Sequence, residues 1–87
     1  MSIVVKLLTK PGCTLCEKAV FVLKRIKTKY PSLELSKCDI TRLPQYQQYL
    51  LEVPVILVNE HPACRMSIHE RDITTRIEQL MNEQTKS

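Results

Sequence analysis

The sequence predicts an α/β fold: a four-stranded mixed sheet flanked by helices, in the order β-α-β-α-β-β-α. Three observations point to it. The aliphatic runs from Ile3 to Leu8 and from Val55 to Val58 are short and rich in β-branched residues, as buried strands are. Apolar residues recur at helical spacing from Thr14 to Tyr30 and again from about Glu70. No repeats, low-complexity segments or linkers interrupt the 87 residues, so residues 1–87 read as one domain.

Each element has its own signal. The run from Ile3 to Leu8 is broken only by Lys6. Leu15, Ala19, Val22, Leu23, Ile26 and Tyr30 form the apolar stripe of the first helix, with Glu17, Lys18, Lys24, Arg25 and Lys29 between them and Pro31 as the stop. Its basic last turns complement the negative end of the helix dipole. Leu33 to Ile40 alternates well enough for a second strand, Leu33 and Leu35 sharing a side, and a right-handed crossover is expected to join it to the first. Pro44 suits the first turn of a short helix with Tyr46, Tyr49 and Leu50 on one face. Val53-Pro54 interrupts before the strand Val55–Val58, and Asn59-Glu60-His61-Pro62 has turn composition, which returns Ala63–Ile68 as an antiparallel edge strand. A last helix turns Ile73, Ile77 and Leu80 inward and is expected to fray over Gln84-Thr85-Lys86-Ser87.

Composition narrows the function. Apolar residues make up 44%, ordinary for a globular domain, and no apolar run is long enough to span a membrane. The formal charge of +4, from 13 Lys and Arg against 9 Asp and Glu, is too mild and dispersed for nucleic acid, though it can steer acidic partners. Met1-Ser2-Ile3-Val4 has neither a basic region nor a small-residue cleavage site following it. The expectation is therefore a cytoplasmic monomer with its cysteines normally reduced.

The strongest chemical signal is Lys10-Pro11-Gly12-Cys13-Thr14-Leu15-Cys16, a Cys-x-x-Cys between an apolar strand and an amphipathic helix. Cys13 at the helix start meets unpaired N–H groups that stabilise a thiolate, the nucleophile of disulfide exchange. Cys16 follows one turn later, close enough to form a disulfide with it. Lys10 adds a nearby cation, and is equally readable as a solvated loop lysine. A zinc site would want a second ligand pair, and Cys38, Cys64, His61 and His69 supply none; no metal is expected. Cys38 and Cys64 read as small apolar strand residues.

With Cys-x-x-Cys after the first strand and Val53-Pro54 before the third, the chain resembles a glutaredoxin of the thioredoxin-fold superfamily over nearly its whole length. Tyr49-Leu50-Leu51-Glu52-Val53-Pro54-Val55 and Cys38-Asp39-Ile40 look most like the small glutaredoxin-like proteins. The resemblance implies a thiol–disulfide oxidoreductase with Cys13 attacking and Cys16 resolving, and a cis Val53–Pro54 peptide beside them. It implies that Lys10 and Gln47 contact glutathione and that the Val53 backbone pairs with it as an added strand. Gln47 also reads simply as a surface residue. Substrates would be disulfide-containing proteins or small thiols. No cofactor is expected to be bound; the reductant would be glutathione, as co-substrate, or a dithiol protein. The rival readings are a redox-inactive or metal- or iron–sulfur-binding module of the same fold, and a dedicated electron carrier for one partner protein. Typical glutaredoxins carry Pro and Tyr inside the motif, where Thr14 and Leu15 stand here, and a Gly-Gly turn and an aspartate after the fourth strand. Gly12 is the only glycine in the chain, which predicts weak glutathione binding.

Overall fold

Aliphatic strands at the centre and polar strands at the rim set the architecture. In the computed structural model, which describes residues 3–85, β1 (Val4–Thr9) and β3 (Val55–Val58) are the inner strands and β2 (Glu34–Asp39) and β4 (His61–Arg65) the edges, in the order β2-β1-β3-β4. β1 runs parallel to β2 and antiparallel to β3, and β4 returns antiparallel to β3, giving the expected mixed sheet. Every residue of β3 is buried, whereas the first four of β2 are exposed. Leu35 is one of these: Leu33 and Ile40, just outside the strand, carry its burial instead.

Two α-helices, α1 (Thr14–Lys29) and α2 (Glu70–Thr85), cover one face. α1 buries Cys16, Ala19, Leu23 and Ile26, spaced three, four and three residues apart, the last three of them against Val5, Leu7, Ile56 and Val58 of the sheet and Ile73 and Ile77 of α2. Leu15 does not join this stripe. It lies about 100° round the helix from Cys16 and is half exposed. Burying a Leu or Ile side chain stabilises by about 1.5–3 kcal/mol, so this cluster is the main source of cohesion. Tyr30 closes α1 through its N–H to the Ile26 carbonyl (2.8 Å), and Lys27 Nζ binds the carbonyls of Pro31 (2.6 Å) and Leu33 beyond it. α2 continues through Thr85, past the point where fraying was expected; Lys86 and Ser87 lie outside the described residues.

The other face carries two short 3₁₀ segments, Ile40–Arg42 and Pro44–Tyr49, in place of the predicted second α-helix. The second has no side-chain cap at its start, and six residues are too few for a stable α-helix. A 3₁₀ turn covers about 2.0 Å per residue against 1.5 Å, which lengthens the crossing between the two sides of β1. Tyr46 is buried against Leu8, Ile40, Val55 and Leu57, with Tyr49 and Leu50 packed at the margin, so the predicted face is the one that packs.

The β3–β4 hairpin turns on two residues rather than four. Asn59 and Glu60 both have positive φ (49° and 69°), the type I′ geometry that matches strand twist. Asn59 pins the turn to the start of β1: its Oδ1 accepts from Val4 N (2.9 Å) and its N–H donates to the Val4 carbonyl (2.8 Å). Pro62 is tolerated because β4 is an edge, and Ala63 beside it is the extra residue of a bulge.

Candidate active site

Lys10-Pro11-Gly12-Cys13 forms a tight turn. The Cys13 N–H donates to the Lys10 carbonyl (3.3 Å), proline stands second and Gly12 third with φ +80°, the pattern of a type II turn. The turn delivers Cys13 to the N-cap of α1, where its side chain makes no capping hydrogen bond. Cys16 sits inside the first turn, 4% exposed, while Cys13 is half-buried. The two form a disulfide with a Cα–Cα distance of 5.4 Å.

Strand directions bring further segments to this end of the sheet. β1 ends at Thr9, opposite Asp39 at the end of β2; Leu8 pairs with Val55 at the start of β3, and Val55 with Arg65 at the end of β4. The Val53–Pro54 peptide, cis as the resemblance implies, therefore lies at the same end as the disulfide. Met66, just past β4, donates its N–H to the carbonyls of Glu52 (2.8 Å) and Pro54 (2.9 Å), with φ +67°. It occupies, in left-handed backbone, the stretch where the resembling family has glycines. Arg65 is occupied by Glu52 (3.4 Å) and by the Tyr49 ring, 5.6 Å from its guanidinium.

An open groove of about 760 Å³ adjoins the disulfide, lined by Lys10, Cys13 and Cys16, by Glu17, Phe21 and Lys24 of α1, and by Lys37 and Asp39 of β2. Lys10 is thus brought to the cysteines. Gln47, Val53 and Pro54 are not part of this lining. Gln47 is exposed, and its amide nitrogen donates to the Ile40 carbonyl (2.7 Å) and, more weakly, to that of Leu43 (3.5 Å), tying the two 3₁₀ segments together. Asp39 accepts from the Thr41 hydroxyl (2.6 Å) and N–H (3.0 Å), which hold its carboxyl below the usual range. Phe21, Lys24, Lys37 and Asp39 were not read from the sequence as site residues. The parallel register of β1 with β2, which sets Lys37 beside Leu7 and Asp39 beside Thr9, is the signal that places the last two.

The remaining cysteines stand apart from this chemistry. Cys64 is buried in the main core, its thiol donating to the His69 carbonyl (3.5 Å), and burial pushes its pKa up. Cys38 is half-buried against the residues around Tyr46 on the other face of the sheet. Among the described residues no three His, Cys, Asp or Glu side chains gather as metal ligands, and no helix is long and apolar enough to cross a membrane.

Solved structures share this architecture at low identity. The oxidised thioredoxin of Plasmodium falciparum superposes with a TM-score of 0.63 at 13% identity, covering 90% of this chain and 80% of that one. A malarial protein superposes with a TM-score of 0.66 at 15% identity, covering 91% and 97%. The likeness establishes the thioredoxin-type fold. No curated protein matches in sequence. The glutaredoxin-like domain model (DUF836) matches residues 4–78, which takes in the cysteine pair, Val53-Pro54 and most of α2, and the chain belongs to that glutaredoxin-like family.

Proposed function

We propose that the protein is a thiol–disulfide oxidoreductase. In the reduced form the Cys13 thiolate attacks one sulfur of a substrate disulfide, forming a mixed disulfide and releasing the other sulfur as a thiolate. The Cys16 thiolate then attacks the Cys13 sulfur, closing the Cys13–Cys16 disulfide and releasing the second substrate thiolate. Two electrons pass to the substrate, and a dithiol protein or two glutathione thiols restore the pair. The observation that carries this reading is the asymmetry of the pair: an accessible Cys13 at a helix N-terminus and a buried Cys16 within disulfide reach. A redox titration against glutathione and against a dithiol protein tests it. A reversible two-electron transition confined to Cys13 and Cys16 is expected, and titration of Cys38 or Cys64 in their place counts against it.

A dithiol protein is the reductant this site favours. Met66-Ser67 replaces the glycine turn, the Met66 N–H is already committed to Glu52 and Pro54, and Arg65 is held by Glu52 and Tyr49. Each charge-assisted hydrogen bond lost to glutathione costs about 1.5–3 kcal/mol. Calorimetric titration of Cys16→Ser with reduced glutathione is expected to give only millimolar-range binding, with slow glutathione-coupled turnover; micromolar binding would contradict this.

A further inference from the structure

We infer, resting on the oxidoreductase reading above, that the groove between α1 and the end of β2 docks an acidic segment of a disulfide-bearing protein partner. The groove begins at the reacting sulfurs and runs along the face of α1 that carries Glu17, Phe21 and Lys24. From Cys13 to Lys24 that face is ~16 Å long at 1.5 Å per residue, the reach of about five extended residues. Lys37 lies two strand residues, ~6.6 Å, back from Asp39. Because α1 runs against the direction of β1 and β2, this is also the direction in which Lys24 lies back from Cys13.

The lining has the two components a peptide anchor needs. Phe21, the chain's only phenylalanine, is 73% exposed on the groove wall, a large apolar surface with nothing packed over it. Lys10, Lys24 and Lys37 make no ion pair among the described residues, unlike Lys6, Arg25 and Arg65, which each have a carboxylate partner. Two carboxylates oppose them. Asp39 is already hydrogen-bonded to Thr41, whereas Glu17, one turn from Cys13, has no such engagement among the described residues. Acidic partner residues therefore seat against Lys24 and Lys37, away from Glu17, while the partner's disulfide meets Cys13. Charge complementarity of this kind raises the rate of encounter more than the affinity.

The test is the second-order rate at which the reduced protein is oxidised by two disulfide peptides that differ only in carrying an acidic or a basic flank, alongside a small neutral disulfide. At low ionic strength the acidic peptide is expected to react about tenfold faster than the basic one, a modest case of electrostatic steering. The preference should collapse in about 1 M salt, where the screening length is ~3 Å. Lys24→Glu combined with Lys37→Glu should abolish the preference, with the far-UV spectrum and unfolding midpoint as folding controls, and Glu17→Gln should enlarge it. Equal rates for the two peptides, or a preference that survives the double substitution, overturn the inference. A protein that reacts with the neutral disulfide but shows no charge preference keeps the oxidoreductase reading and loses the docking groove; one that reacts with none of the three loses both.

Discussion

Gly12 and Met66 place the same backbone requirement on opposite sides of the candidate site, and only one of them is glycine. Gly12, at φ +80°, has open space where a Cβ would be, so Gly12→Ala meets no clash and reports the conformational cost alone. Left-handed backbone costs an L-residue roughly 1–2 kcal/mol, less the entropy that glycine loses on folding, about 0.5–1 kcal/mol. Gly12→Ala is accordingly expected to lower stability by ~1 kcal/mol in urea unfolding. Met66, at φ +67° and 60% exposed, is the inverse case: Met66→Gly should raise stability by about 0.5–1 kcal/mol. A loss on Met66→Gly would show that its side chain does more than occupy the turn. For the cysteines the expectation concerns access. Limiting alkylation of the reduced protein at neutral pH, followed by peptide mapping, should label Cys13 ahead of buried Cys16 and Cys64. Preferential labelling of either buried cysteine contradicts the assignment.

At the scale of elements, Lys6 explains what the sequence could not. A lysine in the middle of β1 looks like an interruption of an apolar strand. In the fold it reaches across the second face to Glu60 in the hairpin turn and to the Tyr46 hydroxyl (3.1 Å), which also donates to Glu60 (3.0 Å). Three elements are joined by one cluster: the central strand, the hairpin and the 3₁₀ segment. The Lys6 ammonium holds the Glu60 carboxyl below its ordinary 4.5, and the carboxylate in turn holds the Lys6 pKa above its ordinary 10.5. For Glu60 the folded pKa is depressed, so its stabilisation is present above the ordinary value and is lost as pH falls through the folded one. Glu60→Gln should therefore flatten the decline in unfolding midpoint as pH falls below the ordinary carboxylate value of 4.5, leaving the slope contributed by Asp39. An unchanged acid limb in Glu60→Gln would show that the pair does not couple to folding.

The elements also differ in how far the sequence disclosed them. β1, β3 and the Ile73–Ile77 face of α2 were readable because their burial is written in consecutive or periodic aliphatic residues. β2 was blurred because an edge strand with four exposed residues carries little pattern of its own. The span from Pro44 to Tyr49 showed its buried face but not its 3₁₀ form, since that depends on where the chain must arrive, as does Gln47 binding the Ile40 carbonyl.

Across the whole molecule, strand order does what no single motif does. The parallel β1–β2 pair and the antiparallel β3 and β4 bring residues 10–16, 37–39, 53–54 and 65–66 to one end of the sheet. The cysteine pair and Val53-Pro54 were legible because each has a local signature. The lysine-lined groove was not, because Lys37 and Lys24 come to line one groove only in the folded chain. The central claim is that Cys13 attacks and Cys16 resolves, and trapping the mixed disulfide tests it most directly. Cys16→Ser and Cys13→Ser, each reduced and then challenged with a disulfide peptide, are examined by intact-protein mass spectrometry and peptide mapping. Cys16→Ser is expected to accumulate one peptide adduct, located on Cys13, while Cys13→Ser accumulates none at comparable times. Adducts found mainly on Cys38 or Cys64, or full dithiol reductase activity in both variants, would contradict the account.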